Sequence, residues 1–138
     1  MMKKLLLITV VLMAISLSAC HKGYDSRTCA VLSERVATQA PLSQDDYADM
    51  IEQSDHILHY LMEAADSISA IPDSDRRQAA AAALRADREF LERFDYMFTF
   101  SSVLYRAHLS GALSAENAEA YENLDAASGR LASLSARL

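Results

Sequence analysis

Four side chains in the stretch from residue 52 to residue 63 have the types and spacing of a metal site. Glu52, His56, His59 and Glu63 recur at steps of four, three and four. At 100° per residue they fall within about 60° of one another on a helix. Imidazole and carboxylate at such spacing can share a transition metal. The same stripe lies opposite an apolar one, where charged residues belong on any amphipathic helix, and it brings no second shell of its own. A solvated face is therefore the competing reading, and no metal site is favoured. Di-iron bundles place Glu-x-x-His on two inward faces, and this sequence contains no Glu-x-x-His.

Other candidates are single residues. His108 falls on the apolar stripe of a long helical segment, as a metal or haem ligand would, or as a histidine hydrogen-bonded at the end of a bundle. Asp87 falls on the same stripe, as an acid with a raised pKa, as the partner of an arginine of its own helix, or, if the stripe drifts, as an exposed residue. Six of the ten aromatic residues lie between Phe90 and Tyr105. They form either a packed core or, where the helix outruns its neighbours, an uncovered partner site centred on Phe94, Phe98, Phe100 and Tyr105. No Cys-x-x-Cys-His, nucleophile elbow, phosphate loop or zinc-protease motif is present, so the chain reads as a non-enzyme without a cofactor.

The elements that must position these residues are helices. The chain has 138 residues, 51% of them apolar, with only 3 Gly and 2 Pro. That leaves little for the turns of a β-sandwich. A first, short helix is expected from about Ser26 to Ala40, with Cys29, Leu32 and Val36 on one stripe and Pro41 at its end. Ser43 and Asp46 have capping-box spacing and open a second helix to about Ile71. It carries Tyr47, Ile51, Ser54, Leu58, Leu61, Ala65 and Ile68 on its face, with Met50, Ile57, Ala64 and Ile71 beside them. A long third helix is expected from Ser74 to Ser110. Its stripe is Leu84, Asp87, Leu91, Phe94, Phe98, Ser101, Tyr105 and His108, and at about 55 Å it is long enough to bend or break. Gly111 ends it, and Ser114 caps a fourth helix from Ala115 to Arg137 that faces inward with Tyr121, Leu124, Ser128, Leu131 and Leu138. Links of two to four residues make the fold an all-α, up-down-up-down antiparallel four-helix bundle. The acids of the second helix (Asp45 to Asp66) and the arginines of the third (Arg76 to Arg106, Arg93 among them) are expected to oppose one another across the central pair.

Before the bundle, Lys3 and Lys4 precede an apolar run from Leu5 to Ala19 that is short for a spanning helix and reads as a secretory signal. Its end, Leu17-Ser18-Ala19-Cys20, resembles the lipobox of bacterial lipoproteins. The resemblance covers the signal region only. It implies cleavage before Cys20, with diacylglycerol and acyl groups (palmitate among them) on that cysteine as the only covalent additions. The domains are then residues 1–19 (signal peptide), 20–25 (lipidated tether) and 26–138 (bundle). Two or three acyl chains give stable anchoring. His21 in place of an acidic residue after the cysteine favours the outer membrane of a Gram-negative cell, at its periplasmic face. Cys29 is then left without an intramolecular partner. It is either a small apolar residue in a helix interface or the link to another chain.

Without Lys3 and Lys4 the formal charge falls from −6 to −8, so nucleic acid is not an expected partner. The functional expectation is a membrane-anchored envelope protein that binds another protein as an adaptor, inhibitor or immunity-type factor. The alternative is a carrier of a small molecule or metal in the bundle interior or on the His56/His59 face.

Overall fold

A computed structural model describes residues 23–135; the signal segment, Cys20, His21, Lys22 and Leu138 lie outside the described residues. Those residues form five helices and no strand: α1 (Ser26–Ala37), α2 (Gln44–Ser69), α3 (Ser74–Arg85), α4 (Arg88–Ser110) and α5 (Ala115–Ser135).

Local chemistry sets the boundaries. Asp25 caps α1 by accepting from the Arg27 amide. The helix ends three residues before the expected Ala40, at the Thr38 cap, and Gln39 takes a left-handed φ of 56°. Ser43 and Asp46 form the capping box of α2, each side chain accepting from the other's backbone amide. Arg35 reaches from α1 to the same Asp46 carboxylate. Gly111, at φ 75°, supplies the left-handed turn that closes α4. The following turn is tied to the start of α2. Gln44 donates to the Ala112 carbonyl at 2.7 Å and accepts from the Ser114 amide at 2.9 Å, and the Asn117 amide group donates to Gln44.

The long third helix is two helices. The chain breaks at Ala86, and Asp87 becomes the N-cap of α4, accepting from the Phe90 amide at 3.4 Å. Asp87 is thus neither a core acid nor an arginine's partner. A capping aspartate competes with continued helix by offering the backbone a local acceptor, and here it restarts the helix in a new phase.

The hub is α2, which packs against all four other helices. Its buried set, from Met50 through Ile51, Gln53, Ser54, Ile57, Leu58, Tyr60, Leu61, Ala64, Ala65 and Ile68, covers more than one face. Around its first half gather Cys29 and Leu32 of α1, Phe100 and Leu104 of α4, and Tyr121 and Leu124 of α5. Around its second half gather Ala80 and Leu84 of α3, with Phe90, Met97 and Leu131 packed against them. The expected inward residues of α2 are all buried or half-buried, as are Tyr121, Leu124, Ser128 and Leu131 of α5.

Charge does not organise the central pair. Among the described residues the only ion pair between helices is Arg35–Asp46, which joins α1 to α2, while Arg76–Asp73 and Arg93–Glu89 are local. Apolar burial on α2 holds α4 there; of the charges expected to oppose one another, Asp46 and Arg93 are buried and most of the others are exposed.

Candidate functional site

The residue pattern of α4 carries two apolar faces, and the restart at Asp87 decides which one is buried. Phe100, Leu104 and Ala107 turn inward, together with Arg93. The opposite face holds Leu91, Phe94, Phe98, Tyr105 and Leu109, each between 46% and 67% exposed. These five lie within about 60° of one another at 100° per residue. They run about 27 Å along the helix. Large apolar side chains half open to solvent amount here to roughly 500 Å², the upper end of what a monomer leaves uncovered. The expected inward stripe of Leu91, Phe94, Phe98 and Tyr105 is therefore the outward one. Of the four aromatics expected to meet a partner, Phe94, Phe98 and Tyr105 are open to one. Phe100 is 0% exposed and belongs to the core.

Beside this face, Phe94 stacks on Phe90 with ring centroids 6.0 Å apart. Both rings border an apolar cleft of about 230 Å³ that also touches Leu61, Ile68, Leu84 and Leu131. On the other side of α4, the first described residues are clamped onto the bundle. Gln53 donates to the Gly23 carbonyl at 2.7 Å and accepts from the Asp25 amide at 2.8 Å. The His56 ring lies so close to Gly23 that an added Cβ would come within 2.0 Å of it, and Gly23 has φ 82°. The guanidinium of Arg93 sits between two rings, 4.6 Å from that of Tyr24 and 4.5 Å from that of Tyr60. Its nearest carboxylate oxygen, on Glu89, is 3.5 Å away. Such a cation held between π-faces is worth about 2 kcal/mol per desolvated ring at best. Burial pushes the Tyr24 and Tyr60 hydroxyls well above the usual phenol range, and Arg93 only partly opposes it.

Sequence reasoning missed this clamp. The sequence pattern places Arg93 among the arginines opposed to the acids of the second helix, and a buried arginine between two tyrosines leaves no spacing signal, because Tyr24 and Tyr60 come from distant elements. Gly23 with its positive φ is the one feature a sequence could have flagged.

The histidine face of α2 does not converge. His56 Nε2 lies 3.8 Å from Glu52. His59 Nδ1 lies 3.7 Å from Asp55 and donates to the Asp55 carbonyl at 2.8 Å. Glu63 is exposed, and no group of three or more potential metal ligands assembles among the described residues. Glu52 and His59 instead border an open groove of about 550 Å³ between α2 and α5, facing Glu116, Asn123 and Arg130. His108 packs against Tyr121, with centroids 5.0 Å apart, in the last turn of α4. Cys29 is 0% exposed and donates to Gln53 Oε1 at 3.5 Å. Burial, with smaller contributions from Asp25 and Glu92, pushes its thiol up to about 12. At neutral pH this is an inert packing residue, since the thiolate is the reactive form.

No helix among the described residues is long and apolar enough to cross a membrane. Comparison with protein-family models, with curated proteins and with solved structures finds no match.

Proposed function

We propose that this chain is a lipid-anchored protein of the bacterial cell envelope that works by binding, with the outer face of α4 as its docking surface. The observation that carries the reading is the continuous stripe from Leu91 to Leu109, left open on a helix whose other face is fully packed. An exposed patch of this size is a partner site more often than an accident of packing. Cys20 at the end of the lipobox-like Leu17-Ser18-Ala19 would carry the lipid. The clamp on Gly23, three residues later, would hold the folded part close to the bilayer. On this reading α3 and α4 form one interrupted leg, and the chain runs up-down-up-down as four antiparallel legs. The protein acts without catalysis, as an adaptor, inhibitor or immunity-type factor, at the periplasmic face of the outer membrane in a Gram-negative cell.

The test is a photo-crosslinking residue at position 98, in living cells, read by mass spectrometry, with the Cys20→Ala form as control. A specific protein adduct that weakens when the anchor is removed is the expected result. Absence of any specific adduct at 94, 98 and 105 would refute α4 as a docking face. An unchanged mass of the mature N-terminal peptide in Cys20→Ala would refute the lipid anchor. A second reading, a carrier of a small apolar molecule, is favoured by one observation: the cleft beside Phe90 and Phe94. Co-purification of a hydrophobic ligand that is lost on Phe90→Trp would support it.

A further inference from the structure

The stripe on α4 is chemically self-complementary. We infer that its occupant is a second copy of this chain, packed antiparallel about a two-fold axis that passes beside Phe100. The inference rests on the reading of α4 as a docking face and names the partner.

The first support is the order of residues along the stripe. With the axis level with Phe100, Leu91 meets the partner's Leu109, Phe94 meets the partner's Tyr105, and Phe98 covers the partner's Ser102. Ser101 and Ser102 are small residues on the two edges of the apolar sector near its middle, so a ring from the other copy has room there. In a two-fold interface each such contact occurs twice.

Charge is the second support. One flank of the stripe carries Arg88 and Asp95 in the first half of the helix and Arg106 in the second. All three are exposed, and none makes an ion pair with another described residue. A two-fold axis perpendicular to the helices sets this flank against itself, with Asp95 level with the partner's Arg106 and Arg106 level with the partner's Asp95. Parallel pairing sets the flank against Phe90, Met97 and Ser101 and leaves both charges unanswered. The same arrangement disfavours an anionic lipid surface as the occupant, because Glu89, Glu92 and Asp95 outnumber the exposed Arg88 in the first half of the helix.

The third support is area. Two copies of the stripe bury about 1,000 Å² between them, the lower end of the range for a specific interface. Such an interface gives a weak dimer in dilute solution, and anchoring in one membrane would raise the effective concentration. The geometry allows this. α1 packs against α4, and the Tyr24 ring lies 4.6 Å from the Arg93 guanidinium, so α1 and the first described residues lie beside α4. A two-fold axis perpendicular to the helices keeps equivalent points of the two copies on the same side of the pair, so both tethers leave from one side.

The experiment uses the mature full-length protein. Leu91→Cys and Leu109→Cys forms, differently tagged, are co-expressed and treated in intact membranes with a short bifunctional maleimide; native Cys29 is buried and does not compete. The antiparallel pair predicts efficient 91–109 linkage between the two tags. It predicts little 91–91 linkage, because those positions lie about 27 Å apart along the axis. In detergent, sedimentation should show a monomer–dimer equilibrium. Asp95→Arg and Arg106→Asp should each raise the dissociation constant about tenfold, since each places like charges at both ends of the interface. The double exchange should restore it. A monomer at every concentration, or 91–91 linkage in place of 91–109, would overturn the inference. Crosslinks from 91 and 109 to a different protein would overturn the second copy while leaving α4 standing as a docking face. Shielding of the stripe by lipid alone would overturn both.

Discussion

Phe98 and Phe100 are two residues apart and about 160° apart around α4, which makes them a direct test of how that helix is rotated. Phe100 is fully buried among Met50, Leu58 and Leu104, and its ring stacks on Tyr96 at 6.1 Å. Truncating such a ring to alanine removes its transfer energy and leaves a cavity, a loss of about 3–5 kcal/mol. For a chain of this size that lowers Tm by roughly 12–25 °C. It also removes a third or more of a typical total stability of about 10 kcal/mol. Phe98 is 65% exposed, so Phe98→Ala should cost less than about 1 kcal/mol in the monomer.

The assay is urea unfolding followed by circular dichroism, at concentrations low enough to keep the protein monomeric. Self-association would otherwise stabilise the wild type by mass action and lend Phe98 a spurious contribution. Should Phe100→Ala fail to fold, Phe100→Leu keeps the comparison open at a cost of about 1 kcal/mol. Phe98→Ala should abolish 91–109 linkage while leaving the monomer's midpoint in place. Equal losses at the two positions, or a larger loss at Phe98, would mean that α4 presents the other face to α2. The docking surface and the dimer would fall together.

Three further outcomes are expected. Burial lifts the Cys29 thiol to about 12 and raises the Tyr24 and Tyr60 hydroxyls, so the folded state holds protons that the unfolded chain releases. The stability contributed by Cys29 is complete below about pH 9 and is lost as pH rises toward the folded pKa. The urea midpoint should therefore fall as pH rises from about 9 towards 12, Cys29→Ala should flatten that slope, and rapid native-state labelling of Cys29 would contradict its burial. Gly23→Ala should cost about 1–2 kcal/mol from its left-handed φ, and more from the displaced His56 ring. Adding His56→Ala should recover only the steric share, and a double-mutant cycle without coupling would refute the clamp. The Asp46 carboxyl is held below the usual range first by the Ser43 amide, against a partial burial cost, and then by the Ser43 hydroxyl and Arg35. Its contribution is present above about pH 4 and is lost as pH falls through the folded pKa. Ser43→Ala should cost about 1 kcal/mol at neutral pH, and a midpoint unchanged by that substitution would count against the capping box.

Helix content and most boundaries were legible because their causes are local. The Ser43/Asp46 capping box, the stop before Pro72, the Gly111 turn and the Ser114 cap each depend on two or three neighbouring residues and on backbone groups that must find partners. The inner face of α2 was legible for a different reason. Its apolar residues recur without interruption, and a central helix offers only one plausible burial. Arg93 was illegible. Its burial depends on two tyrosines brought together by tertiary packing, and an arginine in a helical sequence is ordinarily a surface residue. The tether's docking on Gln53 and His56 depends likewise on contacts about thirty residues apart in sequence. Cys20 lies outside the described residues, so the site with the strongest sequence signature rests on that signature.

The misreading of α4 bears most directly on function. Extending one phase from Leu84 through Asp87 selects Leu91, Phe94, Phe98 and Tyr105 as the core, and the count of apolar residues offers no objection. The stripe through Phe100, Leu104 and Ala107 is as apolar but begins only after the Asp87 cap, so it is visible only once the helix is known to restart there. A single amphipathic helix needs one apolar face to fold, and α4 has two. Apart from the stacking of Phe94 on Phe90, the surplus face stays largely open among the described residues, and its large side chains increase the risk of nonspecific association. A face of that kind, flanked by exposed charges that make no ion pair among the described residues, is best explained by something that covers it. If a second copy does so, charge reversals at Asp95 and Arg106 will restore pairing only in combination, a pattern that general stickiness cannot reproduce.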